Sequence, residues 1–221
     1  MNPYEKPDFY SVKAKEDGYV ARSVYKLKEI DNKFKLFKKR DKILDLGSAP
    51  GSWVQYALQE SGDGGVVVGI DYKEIRVNSP NFHFIKGDFY DKDNQDKIKE
   101  HSPFNGIISD MAPDTEGDRL TDCYRSSELV KEALIFANSY LKNGGFFVAK
   151  IFQGGDEMTI FQLMKKGFRE VKWFKPNSSR KISFEIFLIG IDFYSKIELG
   201  NQSGSDRTND PFIDNQGEMP W

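Results

Sequence analysis

Residues 42–51 have the sequence Lys42-Ile-Leu-Asp-Leu-Gly-Ser-Ala-Pro-Gly51, and this stretch decides the fold. Its first half is a short apolar run that predicts a buried β-strand ending at Gly47. Ser52 to Gln59 follows with the pattern of a helix. Because a strand, a glycine-bearing turn and a helix in direct succession begin a βαβ unit, the stretch predicts an α/β protein with a parallel sheet.

The same alternation continues along the chain. Further strands are predicted at 65–71, 82–85, 106–109, 146–150, 170–174 and 184–193, and helices at 20–34, 91–101, 123–141 and 157–166. This order implies a doubly wound, mostly parallel seven-stranded sheet of the Rossmann-like type. Only Lys175 to Ser183 separates the last two strands, which is too short for a helical crossover. We therefore expect the last strand to run antiparallel.

These elements fit one domain, since 221 residues is an ordinary length for a single α/β unit. We assign residues 1–19 to an N-terminal arm, 20–195 to a single domain, and 196–221 to a flexible acidic tail. The tail is rich in Asn, Asp, Gly and Ser, a composition that does not build a core.

The composition excludes several classes of protein. No apolar run approaches the roughly 20 residues of a membrane-spanning helix, and the polar, acid-containing start of the chain is not a signal peptide. One cysteine and two histidines exclude a disulfide framework and a cysteine-rich zinc site, so we expect no metal. We expect a monomeric cytoplasmic protein, or an organellar one if a transit segment has been removed.

Positive charge is concentrated locally, although the formal net charge is −2. One basic segment contains Arg22, Lys26, Lys28, Lys33, Lys35, Lys38, Lys39, Arg40 and Lys42, and the other contains Lys165, Lys166, Arg169, Lys172, Lys175, Arg180 and Lys181. Local patches decide whether a polyanion binds, because salt screens distant charges within about 10 Å. Two solvated faces are the alternative interpretation.

Candidate site residues follow from the topology. Ligands of open α/β sheets bind beyond the carboxyl ends of the strands. The residues expected at those ends are Gly47, Asp71, Asp88, Asp110 and Lys150, joined by Glu185 at the start of an antiparallel last strand. Several titratable groups are therefore predicted at one rim of the sheet.

The turn from Gly47 to Gly51 predicts the kind of ligand. It lacks the third glycine of the dinucleotide fingerprint, and Pro50 removes a backbone donor that a pyrophosphate would use. A turn that holds the methionine part of S-adenosylmethionine is the better match. Asp71 then suits the ribose hydroxyls, and Asp88 followed by Phe89 suits the adenine.

Lys150 ends an otherwise apolar strand and is the candidate for the chemistry. Burial and a second cation such as Lys26 would lower the pKa of Lys150 and make a neutral amine available as a base. Asp110 would orient that amine, and Glu185 would position Lys26. The alternative is a lysine at a strand end that is merely neutralised by Asp110.

Five ordered motifs together resemble the FtsJ/RrmJ family of ribosomal RNA 2′-O-ribose methyltransferases. They are Arg22-Ser-Val-Tyr-Lys-Leu27, Asp45-Leu-Gly-Ser-Ala-Pro-Gly-Ser-Trp53, Ser109-Asp-Met-Ala-Pro113, Val148-Ala-Lys-Ile-Phe-Gln-Gly154, and Lys175-Pro-Asn-Ser-Ser-Arg180 followed by Glu185. The resemblance implies a catalytic tetrad of Lys26, Asp110, Lys150 and Glu185. It also implies S-adenosyl-L-methionine as cofactor, held by Gly47, Ser48, Gly51, Trp53, Asp71, Asp88 and Asp110, to which we add Pro50 and Phe89.

The implied activity is methylation of a ribose 2′-hydroxyl, with a uridine of large-subunit ribosomal RNA or the assembled subunit as substrate. The residues expected to contact RNA are Arg22, Lys28, Lys38, Lys39, Arg40, Lys175, Ser179 and Arg180. The alternatives are a tRNA anticodon loop as substrate, or a non-catalytic RNA-binding assembly factor that kept the fold.

Overall fold

The computed structural model describes residues 8–115, 117–180 and 182–197. Most of the predicted acidic tail, residues 198–221, and the first seven residues of the arm lie outside these ranges. The helices are α1 (Phe9–Glu16), α2 (Val24–Phe34), α3 (Ser52–Ser61), α4 (Lys92–Glu100), α5 (Arg119–Tyr140) and α6 (Glu157–Met164). The strands are β1 (Lys42–Leu46), β2 (Val66–Asp71), β3 (Phe82–Lys86), β4 (Phe104–Ser109), β5 (Leu141–Phe152), β6 (Phe168–Phe174) and β7 (Glu185–Phe193).

The described strands form one seven-stranded sheet in the order β3-β2-β1-β4-β5-β7-β6. The pairs from β3 across to β5 are parallel. β7 is inserted between β5 and β6 and runs antiparallel to both. The predicted doubly wound, mostly parallel sheet with an antiparallel last strand is therefore confirmed.

The core lies on both faces of this sheet, as expected when parallel strands are covered by helices. One apolar cluster packs α5 and α6 against the sheet and includes Phe104, Leu134 and Met164. The other packs α2 and α3 against the opposite face and includes Leu27 and Phe187. Both layers leave the carboxyl ends of β1, β2, β4 and β5 at one rim.

Some element bounds differ from the predictions. The arm contains α1, which the sequence analysis did not predict, and Ala14 of this helix is buried. The first helix of the predicted domain begins at Val24 rather than Val20, and the Val20 backbone N–H donates to the side chain of Gln55. Within the described residues, no helix is both long enough and apolar enough to cross a membrane.

Candidate active site

A cavity of about 340 Å³ opens at the rim above β1, β2 and β4. Five of the residues predicted to bind cofactor line it: Gly47, Asp71, Asp88, Phe89 and Asp110. The rest of the lining comes mainly from the loops after β2, β3 and β4, including Tyr72, Tyr90, Met111 and Asp114. The volume is within the range of small-molecule sites.

The turn after β1 is shaped for a close backbone approach. Gly47 has φ +73°, and a Cβ atom built there would lie 2.6 Å from Met111 Cγ. Only glycine fits this position without a shift of the neighbouring chain. Asp71 fixes the turn from β2, since its Oδ2 accepts the Ala49 N–H at 3.0 Å. Glycine and carboxylate therefore build one side of the cavity together.

Asp88 and Tyr72 form the opposite side. Asp88 Oδ1 accepts the Tyr90 N–H at 2.9 Å, which fixes the carboxylate at the end of its loop. The pKa of Tyr72 is raised to about 12, mainly by its hydrogen bond to Asp88 and to a smaller extent by burial. The Tyr72 side chain is nevertheless 66% exposed at the cavity mouth, where an aromatic ring can cover a ligand. The sequence analysis missed Tyr72, although it directly follows the singled-out Asp71.

Four other predicted cofactor residues do not line the cavity. Ser48, Pro50 and Gly51 belong to the turn itself, and Gly51, at φ +110°, is the N-cap of α3. Trp53 is 3% exposed, and its indole N–H donates to the Ser23 carbonyl oxygen at 2.9 Å. Its place in this structure is therefore between α2 and α3, where it sets the position of the turn without facing the cavity.

The four predicted catalytic residues lie together as two ion pairs. Lys26 Nζ lies 2.6 Å from Glu185 Oε1. Lys150 Nζ lies 2.9 Å from Asp110 Oδ1 and donates a hydrogen bond to the Asp110 carbonyl oxygen at 2.5 Å. Lys150 is 8% exposed. Because Asp110 also lines the cavity, the second pair lies at its wall.

β7 explains how Glu185 reaches this cluster. The carboxylate is on the first residue of an antiparallel strand, opposite Phe152 at the end of β5. Lys26 comes from the facing helix α2, with its Nζ 5.9 Å from the centroid of the Phe187 ring. The pairing is thus set by the sheet topology and by the packing of α2.

Asp45 is a buried carboxylate that the sequence analysis did not single out as a site residue. It is fully buried on β1, and neither of its oxygens has a hydrogen-bond partner among the described residues. Burial raises its pKa well above the ordinary value of 3.8, and the nearby charges of Asp110 and Asp71 raise it further. Burial at this position therefore favours the protonated form of Asp45 relative to an exposed carboxyl group.

A second missed residue, Glu29, holds the loop before β7. Its Oε2 accepts the Asn177 N–H at 2.6 Å and its Oε1 accepts the Ser178 N–H at 2.8 Å. Arg22 donates to the Ser178 carbonyl oxygen and pairs with Asp8. Arg22, Lys26 and Glu29 have the i, i+4, i+7 spacing of one helix face, and this spacing was the available signal.

The residues predicted to contact RNA fall into two groups. Lys175 and Arg180 are exposed and Ser179 is half-buried, all in the loop beside Glu185. Lys28 lies over the Tyr19 ring at 4.3 Å, and Arg22 makes the internal contacts described above.

Lys38, Lys39 and Arg40 lie at the opposite edge of the sheet. They directly precede β1, so they are at its amino end, and Lys39 donates to the Gln59 carbonyl oxygen near the end of α3. Their contact with RNA phosphates stays a prediction, and it would be made at the end of β1 away from the cavity. Within the described ranges, no cluster of three or more His, Cys, Asp or Glu side chains could hold a metal ion.

Comparison with known proteins places this geometry in a family. The chain is 45% identical over 194 residues to ribosomal RNA large subunit methyltransferase E of Treponema denticola, covering 87% of this chain and 98% of that protein. It is 47% identical over 191 residues to the protein of the same name from Bdellovibrio bacteriovorus, covering 85% and 97%.

Solved structures agree. A crystal structure described as a ribosomal RNA methyltransferase from Plasmodium falciparum has a TM-score of 0.71 and 31% identity, covering 80% of this chain and all of that one. Fibrillarin from Aeropyrum pernix, at 18% identity and a TM-score of 0.51 over 76% of each chain, shares the fold alone. The family model for FtsJ-like methyltransferases matches residues 19–193. The chain belongs to the FtsJ-like methyltransferase family.

Proposed function

We propose that the protein is an S-adenosylmethionine-dependent methyltransferase that methylates a ribose 2′-hydroxyl of large-subunit ribosomal RNA. The observation that carries the proposal is the Lys150–Asp110 ion pair at the wall of the cavity, beside the Lys26–Glu185 pair. Two relatives at 45% and 47% identity are named as large-subunit ribosomal RNA methyltransferases, which supports the substrate class.

The cavity fits S-adenosylmethionine. Gly47 lines the cavity and has no side chain, so its backbone is open to the methionine part of the cofactor. The Asp71 and Asp88 carboxylates provide acceptors for the ribose hydroxyls and for the adenine amine. When bound, the cofactor supplies an electrophilic methyl group on a sulfonium.

The protein's own residues then have to orient and activate a poor nucleophile. The bound cofactor would supply the methyl group, with its sulfur as the leaving group, and the 2′-oxygen would be the nucleophile that the protein's residues hold in place. The hydroxyl proton leaves to the Lys150 amine, or Lys150 only orients the hydroxyl and the proton passes to solvent. Asp110 holds Lys150, while Glu185 holds Lys26 as a second fixed charge. Positioning of the hydroxyl and acid–base catalysis are the two effects that would accelerate methyl transfer.

Bound RNA would be held by the exposed part of the loop before β7 and by the outer surface of α2. Lys175, Ser179 and Arg180 lie next to Glu185 in the chain, so a phosphate contact there places the strand beside the tetrad. Lys28 is a further candidate on α2.

The test is methyl transfer from tritium-labelled S-adenosylmethionine to large ribosomal subunits, with bulk tRNA as the second substrate. Nuclease digestion of the product distinguishes a 2′-O-methylated nucleotide, which survives as a resistant dinucleotide, from a base-methylated one. We expect label in the subunit and in the resistant dinucleotide. Label in tRNA alone, or on a base, would contradict the proposal, and cofactor binding without transfer would indicate a non-catalytic factor.

A further inference from the structure

A second cavity of about 350 Å³ lies at the same rim, beyond the tetrad. It is lined by Gln153, Glu157, Met158, Trp173, Phe174, Lys175 and Ile186. The order of the strands gives its position relative to the tetrad. The cofactor cavity is above β1, β2 and β4, and the tetrad is above β4, β5 and β7. The second cavity is above β5, β7 and β6. It therefore lies beside the tetrad, on the side away from the cofactor cavity.

This cavity is close to Lys150 and takes its lining residues from both faces of the sheet. Trp173 and Ile186 come from one face and Phe174 from the other. Gln153 follows Lys150 by three residues, which is about 10 Å of strand. Ile186 packs in the apolar cluster of α5 and α6, whereas Phe187, which pairs with Lys150 across the strands, packs in the cluster of α2 and α3. A chain bound at the tetrad can thus reach the second cavity by crossing the rim.

The walls are apolar and fixed. Trp173 stacks on Phe161 with the ring centroids 4.8 Å apart and the planes at 8°. Phe174 packs edge-on against Phe34 at 5.7 Å. Met158 of α6 is 56% exposed although it is a large apolar side chain. Rigid aromatic surfaces beside an exposed methionine suit a flat apolar ligand.

The charged and polar side chains at this cavity suit a ligand that is joined to an anionic group such as a phosphate. Lys175 lies at the cavity, and Lys33 Nζ is 4.7 Å from the centroid of the Phe174 ring. The one acid in the lining, Glu157, already accepts the Gly154 and Gly155 N–H groups at 3.2 and 2.8 Å. The Gln153 amide offers both a donor and an acceptor, which the edge of a nucleobase requires.

We infer that the second cavity is a nucleobase subsite, which takes one unstacked base of the RNA strand whose ribose reaches Lys150. The inference rests on the proposed function for the identity of the strand. In this subsite the protein would recognise one base of the RNA directly. Trp173, Phe174 and Met158 would form the apolar walls, and Gln153 would contact the edge of the base.

The test compares two probes of equal length and charge, a hexauridylate and the corresponding abasic hexamer, for binding to the full chain at fixed salt. Phosphate contacts contribute equally to both, so the ratio of the two affinities isolates the bases. We expect the wild-type chain to bind the hexauridylate about tenfold more tightly, a modest value for one stacked base. We expect the Gln153→Ala/Met158→Ala double variant to lose most of that ratio.

Gln162→Ala is the matched control, because Gln162 is exposed on α6 and is not part of the lining. Cofactor binding by each variant checks that the fold is intact. Equal affinity of the wild-type chain for both probes, or an unchanged ratio in the double variant, overturns the inference. Methyl transfer to large subunits is measured separately. If no methyl is transferred, the proposed function is contradicted, whatever the ratio of the two probe affinities. If methyl is transferred, the ratio of the two probe affinities tests the base subsite alone.

Discussion

Replacing Glu29 tests whether the loop before β7 positions Glu185 for its ion pair with Lys26. The Glu29 carboxylate accepts two consecutive backbone N–H groups of that loop, from Asn177 and Ser178, at 2.6 and 2.8 Å. The loop leads directly into Glu185, which pairs with Lys26. We therefore treat Glu29 as a positioning residue and expect Glu29→Ala to act on the Lys26–Glu185 pair without touching the substrate.

The magnitude follows from the two hydrogen bonds. A hydrogen bond to a charged group contributes about 1.5–3 kcal/mol, and these two are only partly shielded from water, so we take about 1 kcal/mol each. Glu29→Ala should lower the free energy of unfolding by about 2 kcal/mol. A loop released by a comparable amount should reduce kcat/KM for RNA by about thirtyfold. Cofactor affinity should stay unchanged, because the cofactor cavity lies above β1, β2 and β4.

Urea unfolding and tritium transfer measure the two effects on the same preparations. Glu29→Gln keeps one acceptor oxygen and should recover part of both losses. Glu74→Ala is the control, since it removes a 69% exposed carboxylate that pairs with Lys86 far from the tetrad. If Glu29→Ala loses stability yet keeps the wild-type kcat/KM, the loop is structural only and this reasoning fails.

Three further substitutions test other parts of the site. Lys150→Met should lower kcat by about 10²–10⁴-fold with little change in cofactor affinity; a loss below tenfold in single-turnover transfer would remove Lys150 from the chemistry. Gly47→Ala should abolish measurable cofactor binding by calorimetry, because its Cβ would lie 2.6 Å from Met111 Cγ at a φ of +73°; retained affinity would contradict the close approach. The raised pKa of Asp45 means that the folded chain holds this proton more tightly than the unfolded chain, so stability falls as pH rises from near 4 to the raised pKa. Asp45→Asn should lack that slope in urea unfolding from pH 4 to 8, and a parallel pH profile would refute the assignment.

Much of the fold was predictable because parallel strands carry a strong local signal. The β1 strand and its glycine turn were predicted at their observed bounds, since an apolar run that ends in glycine has few alternatives. The antiparallel β7 followed from the shortness of the preceding loop. Starts of helices were less predictable: α5 begins at Arg119, four residues before the predicted Cys123, because its first turn is polar and is fixed by Asp118, whose side chain accepts the Thr121 N–H.

The site was predictable only as far as topology determines it. Residues at the carboxyl ends of parallel strands had to meet, and Asp71 and Asp110 do line one cavity. Charge density along the chain does not specify which end of a strand carries the charge, and Lys39 precedes β1 at the end away from the cavity. Glu29 was missed because its partners are backbone N–H groups nearly 150 residues away, and its helical spacing from Lys26 does not identify those partners.

The antiparallel direction of β7 is what completes the tetrad. β7 has nine residues, so it spans about 30 Å. If it ran parallel to β5, Glu185 would begin the strand at the amino edge, roughly that far from Lys26, and the Lys26–Glu185 pair could not form. The strand also separates β5 from β6 and so makes room for the second cavity between the tetrad and Trp173. One reversal of strand direction therefore supplies a carboxylate to the proposed catalytic cluster and creates the cavity beside it that we propose as a base subsite.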